Sequence, residues 1–386
     1  MNCSAKRIGV IVNGATGGVV NSKHLSHVLI PIIRERGIIL SDGSRLVLDL
    51  LLVGRNENRL KEVADKYAIE KWTTNLSDTF SDPDFTVYFD GAQTGGRGDR
   101  LKAALTAGKH VYTEKPVARS IQEAAELISL AQQCRGACGA VVDKIYLPGL
   151  RKLKHVIDSG FLDRILSVKL DFGYWIFDGE SQEGQRPSWN YKAEEGGGLV
   201  LDMFPHWSYI LHHLFGRVTG IFCKAYTHIP KRWDETGTAY NVDVEDAVFA
   251  LMTLEESISV QLSTSWATRV RRSDLLTIQV DGTGGSAVAT LHDCFCQSLS
   301  DTPRPYFDPV NPQSMDFFRQ WTMFEDDTPF KHSFRYGWEN FLRHITTGEK
   351  LNFDLHTGLE ALQLIDAAYK SSREGHWINI EPVTGF

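Results

Sequence analysis

Two clusters of polar residues in this chain are typed and spaced for chemistry. The first is His110-Val111-Tyr112-Thr113-Glu114-Lys115-Pro116-Val117, a lysine at the end of a short apolar run. A strand that ends in a proline-stiffened turn would hold the Lys115 ammonium at the rim of a parallel sheet, where open α/β folds bind ligands; a solvated surface lysine has the same local sequence. The second is Gly196-Gly197-Gly198-Leu199-Val200-Leu201-Asp202-Met203-Phe204-Pro205-His206. On a helix, Asp202 and His206 at i and i+4 share one face, and Pro205 is tolerated only if it lies in the first turn. A histidine held by a carboxylate is a general base near neutral pH, whereas a capping aspartate beside a satisfied core histidine is the plainer alternative. His212 and His213 are adjacent, so on a helix they point about 100° apart and do not make a metal-ligand pair by themselves. No metal site is expected.

The elements around these clusters change character along the chain. The first third alternates strand and helix: Arg7 to Val12 is a buried-strand run, and Leu25, Val28, Leu29, Ile32 and Ile33 recur at helical spacing until Gly37. Leu46 to Val53 is a second strand, after which Asn56 is placed to cap a helix carrying Leu60, Val63, Ala64 and Tyr67. Phe85 to Phe89 is a strand, Leu101 to Ala107 a helix closed by Gly108, and His110 to Thr113 the strand before Lys115. Ser120 to Glu123 is a capping box, and Ala140 to Val142 is the last strand. Such alternation predicts a doubly wound parallel sheet over residues 1–145.

After about residue 145 the period changes. A helix around Leu150 to Ile157 gives way to alternation, cleanest in Ile258, Val260, Leu262, Thr264 and Trp266 with polar residues between, and strand-like runs continue at 220–226, 246–254 and 274–280. The chain closes with helical patterns at Trp338 to Ile345 and Gly358 to Tyr369. Residues 146–386 are expected to form a second, α+β domain on a mainly antiparallel sheet.

Composition excludes several functions. The net charge of -7 and the absence of a basic stripe argue against nucleic-acid and anionic-membrane partners. The longest apolar runs are too short to span a membrane, and Met1 to Gly9 lacks the apolar core of an export signal. Six scattered cysteines in a chain of 386 residues suggest a reduced, cytoplasmic setting rather than a disulfide framework.

The loop after the first strand, Asn13-Gly14-Ala15-Thr16-Gly17-Gly18, is a nucleotide site candidate. Glycines let the backbone approach a pyrophosphate while the following helix N-terminus faces its charge. The fingerprint is incomplete, since Val12 occupies the position of its first glycine; a structural glycine turn is the alternative. At the end of the second strand, where an acidic residue would bind a ribose hydroxyl, the sequence has Arg55 and Asn56. Arg55 suits a 2'-phosphate, which tips the expected NAD(P) cofactor toward NADP. Asn13, Gly14, Thr16, Gly17, Gly18, Arg55, Asn56, Gln93, Glu114 and Lys115 form the expected cofactor set.

Glu114-Lys115-Pro116 after a Rossmann-like domain, followed about ninety residues later by the glycine run with Asp202 and His206, resembles the Gfo/Idh/MocA family, the relatives of glucose-fructose oxidoreductase and inositol dehydrogenase. The resemblance spans nearly the whole chain; a departure is Gln93-Thr94-Gly95, where relatives often have a Thr-Pro-like turn. It implies an N-terminal Rossmann domain, a C-terminal domain on a large open sheet, a homo-oligomer, and oxidation or reduction of a sugar or cyclitol hydroxyl with a nicotinamide. It places Lys115, Asp202 and His206 in the active site.

The corresponding expectation is a dehydrogenase acting on a pyranose, glycoside or cyclitol, with ring C3 a possible position. His206 would be the base, Asp202 would orient it, and Lys115 would favour the developing alkoxide. Tyr174, Trp175, Arg186, Trp189, Asn190 and Tyr191 offer an apolar platform and polar groups for a polyol, with Trp175, Arg186, Trp189, Tyr191 and Lys144 as the substrate-binding set. Ordinary aromatic packing is the alternative reading of those rings. Two further functions stay open: an NAD-dependent glycosidase or lyase that oxidises transiently and eliminates, and a catalytically silent nucleotide sensor.

Overall fold

The structure, a computed structural model, describes residues 5–134, 136–326 and 328–382; Cys3 and the start of the Met1–Gly9 segment lie outside them. The chain forms two compact units. One comprises the described part of Met1–Tyr146 together with Lys331–Leu362, and the other comprises Leu147–Phe330 and Gln363–Pro382.

The first unit is built on a seven-stranded sheet in the order Ile38–Ile39, Arg45–Val53, Ala5–Asn13, Phe85–Asp90, His110–Thr113, Cys138–Ala140, with Trp72–Thr73 also paired to Arg45–Val53. All pairs are parallel except that of Ile38–Ile39. Parallel strands covered on both faces read as continuous apolar runs, and Val10, Ile11 and Val12 are fully buried. Val12 is paired between Leu52 and Phe89, so the missing first glycine of the fingerprint falls inside the sheet and the chain turns only at Gly14. Asn56 caps the helix Glu57–Tyr67 by accepting the Arg59 N–H at 3.0 Å, as its type and position predict. Ser120 likewise accepts the Glu123 N–H at 3.1 Å, but the Glu123 carboxylate takes the Arg119 N–H at 2.7 Å.

The structure differs from the sequence reading in three places. The helix after the glycine loop is π-wound over Val20–Leu29, the Ile30 N–H reaching the Leu25 carbonyl, before continuing as the α-helix Ile30–Arg34. The last strand is Cys138–Ala140 rather than Ala140–Val142, because its partner ends at Thr113, opposite Ala140. Most consequential, Lys331–Leu362 belongs to the first unit, although the division at 145/146 assigned it to the second. Burial explains it: on helix Ser333–Thr347, Trp338, Phe341 and Leu342 are fully buried, with the Trp338 ring 5.0 Å from Phe89 and 4.7 Å from Tyr112. Arg335 of the same helix pairs with Glu35, Nη1 to Oε1 at 2.7 Å.

The second unit carries a nine-stranded sheet ordered Thr322–Met323, Cys294–Ser298, Gly285–Ala289, Leu276–Gly282, Ile165–Gly173, Ser259–Ser265, Ala247–Leu254, Val218–Tyr226, Ile378–Asn379. Only the pair of Ile165–Gly173 with Ser259–Ser265 is parallel. The alternation from Ile258 to Trp266 is realised as one buried face.

The helix Leu199–Phe215 carries Asp202 and His206. Its start is capped from outside, since Gly198 has no side chain: Glu245 accepts the Leu199 N–H on its carbonyl at 3.1 Å and the Val200 N–H on Oε1 at 2.8 Å. Pro205, expected in the first turn, lies beyond it inside the helix. The external cap sets the start at Leu199, and the proline removes the bond to the Leu201 carbonyl. The Tyr369 hydroxyl donates to Glu245 Oε1 at 3.2 Å. Glu245→Ala strips a buried acceptor from the Val200 N–H and the Tyr369 hydroxyl and is expected to destabilise the protein by about 1–3 kcal/mol, read as a lower denaturant midpoint. An unchanged midpoint would show that the cap contributes nothing.

Candidate functional site

In the first unit, Ala5–Asn13 pairs on one side with Arg45–Val53 and on the other with Phe85–Asp90, so strand order reverses there and a crevice opens outside the carboxyl ends. Gly14 stands at that point with φ +83°, and a Cβ on it would lie 2.8 Å from the Ala92 backbone nitrogen. No side chain fits. Gly17 and Gly18 are exposed, and a Cβ on Gly18 would meet nothing within 4 Å. The rest of the protein therefore does not require glycine at 18, and the space above this helix start is open to a ligand. The Gly17 N–H closes a turn onto the Gly14 carbonyl at 2.8 Å, leading directly into the helix. Open glycine backbone at a helix N-terminus fits the pyrophosphate of a dinucleotide. Thr16 borders Gly54 on this loop, and Arg55 and Asn56 follow, both exposed.

Beneath the crevice lies a charged cluster that sequence reasoning did not find. Asp90 is fully buried; it accepts Arg97 Nε at 3.3 Å, Arg100 Nε at 2.7 Å and the Tyr88 hydroxyl at 2.7 Å. Burial, and then the Asp90 charge, push the Tyr88 phenol well above its ordinary range, so it stays a neutral donor. Tyr88 in turn accepts the Asn13 side-chain amide at 2.9 Å, fixing a residue of the loop. Arg97, 2% exposed, also donates to the Ala92 carbonyl at 2.7 Å and to the Pro116 carbonyl. Arg100 reaches the Gln93 carbonyl at 2.8 Å. One cluster thus ties together Asn13, the turn bearing Gln93, and the Glu114-Lys115-Pro116 segment.

At that segment, Glu114 Oε2 accepts the Lys115 backbone N–H at 3.1 Å, and Oε1 lies 2.7 Å from His24 Nε2. Burial raises the Glu114 pKa, but the His24 hydrogen bond, with the charges around it, outweighs burial and holds the carboxyl below its ordinary value. Lys144 lies in the turn Lys144–Tyr146, its ammonium 3.4 Å from Asp143.

In the second unit, Asp202 Oδ2 accepts Arg186 Nη1 at 2.7 Å. The Arg186 guanidinium stacks on Trp266 at 4.2 Å and also reaches Asn190 Oδ1 at 3.3 Å and the Tyr174 hydroxyl at 3.4 Å. Stacking and several hydrogen bonds hold its planar fork in one orientation. His206 is buried on the same helix as Asp202. Trp189 is 46% exposed, and Trp175 is covered by the Arg269 guanidinium at 4.0 Å. Tyr191, by contrast, is buried between Trp266 and the buried Arg232, whose guanidinium lies 4.0 Å over its ring. Burial lowers the His213 pKa to about 4, which favours its neutral form. Among the described residues no group of three or more His, Cys, Asp or Glu side chains is arranged to hold a metal.

A parallel sheet with a glycine turn at its switch point, together with a second unit on a large, mainly antiparallel sheet, defines a Rossmann-type dinucleotide-binding protein. Comparison with known proteins is more specific. Residues 41–139 match the oxidoreductase family with an NAD-binding Rossmann fold, and residues 150–288 match the GFO/IDH/MocA C-terminal domain. The chain is 40% identical over 381 residues to a D-xylose dehydrogenase of Paenarthrobacter nicotinovorans, covering 98% of each chain. It is 22% identical to a levoglucosan dehydrogenase of Pseudarthrobacter phenanthrenivorans, covering 85% of this chain and 88% of that one. A solved levoglucosan dehydrogenase in complex with NADH and L-sorbose shares the fold with a TM-score of 0.79 at 19% identity, covering 98% of this chain and 100% of that one. The chain belongs to the Gfo/Idh/MocA family of NAD-binding oxidoreductases.

Proposed function

We propose that the protein is an NAD(P)-dependent dehydrogenase that oxidises a secondary hydroxyl of a sugar, glycoside or cyclitol, with ring C3 as the first carbon to test. The observation that carries this reading is 40% identity over 98% of both chains to a D-xylose dehydrogenase. A bound nicotinamide supplies the two-electron acceptor for the carbinol carbon. The glycine loop binds the pyrophosphate, with Asn13, Thr16, Arg55, Asn56, Gln93 and Glu114 completing the cofactor set. His206 takes the hydroxyl proton on a ring nitrogen. Asp202, whose carboxylate is fixed by Arg186, orients that ring, and the Lys115 ammonium stabilises the alkoxide as it forms. Trp189 and Trp175 offer faces for the apolar side of a sugar, with Arg186 and Lys144 as the polar complement, whereas buried Tyr191 supports them from behind.

The test is accumulation of reduced nicotinamide, followed by absorbance with NAD and NADP against pentoses, hexoses, glycosides and inositols. A pyranose is expected to give signal; silence across the panel with both cofactors would overturn the reading. Release of an aglycone without accumulation of reduced cofactor would indicate the eliminating glycosidase, which no observation here favours.

Within this reading NADP is the preferred cofactor, supported by exposed Arg55 at the position where an acidic residue would select NAD. Arg55→Ala is expected to weaken NADP binding about tenfold, the worth of one charge-assisted hydrogen bond, while NAD binding holds. Equal effects on the two cofactors would remove Arg55 from the specificity. A cytoplasmic setting is supported by the absence of disulfides among the five described cysteines and is checked by fractionation. Exposed Tyr226, Phe249 and Leu251 on neighbouring strands of the second unit support a homo-oligomer, to be read by sedimentation.

A further inference from the structure

His24 is fully buried on the π-wound segment Val20–Leu29, directly after the glycine loop. Its Nδ1 receives the Trp338 indole N–H at 2.9 Å, and its Nε2 lies 2.7 Å from Glu114 Oε1. An indole nitrogen only donates, so Nδ1 must present its lone pair. The ring is therefore neutral, its proton is on Nε2, and Nε2 donates to the Glu114 carboxylate. Glu114, its side chain 13% exposed, then uses Oε2 to hold the backbone N–H of Lys115 at 3.1 Å. The rings of Phe89 at 4.6 Å and Phe334 at 4.9 Å pack against the imidazole and leave it little freedom to turn. A π-turn is an uncommon winding that recurs at functional sites; here it bears the imidazole that is hydrogen-bonded to Glu114.

We propose that His24 is a positioning residue: with its tautomer set by Trp338, it orders the Glu114 carboxylate, which in turn fixes the backbone from which Lys115 projects. This role rests on the dehydrogenase reading only for what Lys115 does; the ordering of Glu114 stands apart from it. The charged and titratable groups around the relay are few. Glu114 faces His24 from the π segment, Arg97 from helix Arg97–Thr106, Tyr112 from its own strand and the neighbouring Lys115; His24 is approached by His332.

Two substitutions separate ordering from plain packing. His24→Gln retains an amide N–H for Glu114 and a carbonyl for the Trp338 N–H, whereas His24→Leu retains neither. Neither variant has an imidazole, so the difference between them isolates Glu114. The amide donor of His24→Gln favours the ionised carboxylate and holds the Glu114 pKa lower in that variant than in His24→Leu; the stability that a carboxylate held low contributes is present above its unfolded value and is lost as pH falls through the folded one. Without that donor, burial penalises the charged form with one bond fewer to offset it, so His24→Leu loses stability relative to His24→Gln as pH rises through the range in which the carboxylate ionises. The thermal-midpoint deficit of His24→Leu relative to His24→Gln is therefore expected to widen from about pH 4 to about pH 7. In turnover, kcat is expected to fall about ten- to a hundredfold in His24→Leu and to recover to within about threefold of the native protein in His24→Gln. A deficit that is constant with pH, or equal kcat values in the two variants, would overturn the proposal. The melting comparison needs no substrate, so it remains decisive if no sugar is turned over.

Discussion

Lys115→Ala is expected to lower turnover by about two to four orders of magnitude while leaving NADH binding within a few-fold of native. The separation of the two effects follows from how the segment is anchored. The Lys115 N–H is held by Glu114, the Pro116 carbonyl is held by Arg97, and the strand His110–Thr113 before them is paired on both sides. None of these contacts uses the Lys115 side chain, so alanine removes the ammonium and leaves its backbone in place. Steady-state kinetics on whichever sugar gives signal, with NADH titrated by its fluorescence, measures both quantities. Turnover within about threefold of native would leave Lys115 without a part in the chemistry.

The second large effect is expected at Asp90. Alanine there takes from Arg97, 2% exposed, its hydrogen-bonded carboxylate, and removes the acceptor of the Tyr88 hydroxyl. Breaking a buried ion pair from one side costs about 3–5 kcal/mol, far more than an exposed pair would. Because Tyr88 holds Asn13 and Arg97 holds Ala92 and Pro116, the loss is also expected to loosen the loop and weaken cofactor binding. Denaturant unfolding followed together with NADH affinity checks both. A midpoint close to native would show that solvent or local rearrangement satisfies Arg97 in place of Asp90.

What could be read from the sequence was local. Asn56 caps the helix it was expected to cap, and strands such as His110–Thr113 have the predicted bounds, because apolar period and capping chemistry are written within a few residues. What escaped the reading depends on residues far apart in the chain. His24 meets Trp338 across 314 positions, and Arg335 meets Glu35 across 300; no local pattern announces either pair. Pro205 was misplaced by a turn because the helix start is set by Glu245, outside the segment. As candidates, Lys115 could be singled out by its place at a strand end and Asp202 and His206 by their spacing, and only the family resemblance joined the three. Their supporting partners were not legible: Asp90 and Arg97 lie just outside the strand and helix expected at Phe85 to Phe89 and Leu101 to Ala107, and nothing local announces the pairing of Arg186 with Asp202.

The return of Lys331–Leu362 to the first unit has a consequence for biogenesis. On the ribosome the first 146 residues emerge with the Phe89 and Tyr112 rings and the His24 imidazole still lacking Trp338 and Phe341, which follow almost two hundred residues later. The nucleotide-binding unit cannot close its core vectorially. Its nascent strands must wait, partly uncovered, through synthesis of eight of the nine strands of the second sheet, the interval in which unpaired apolar surface most invites chaperone capture or aggregation.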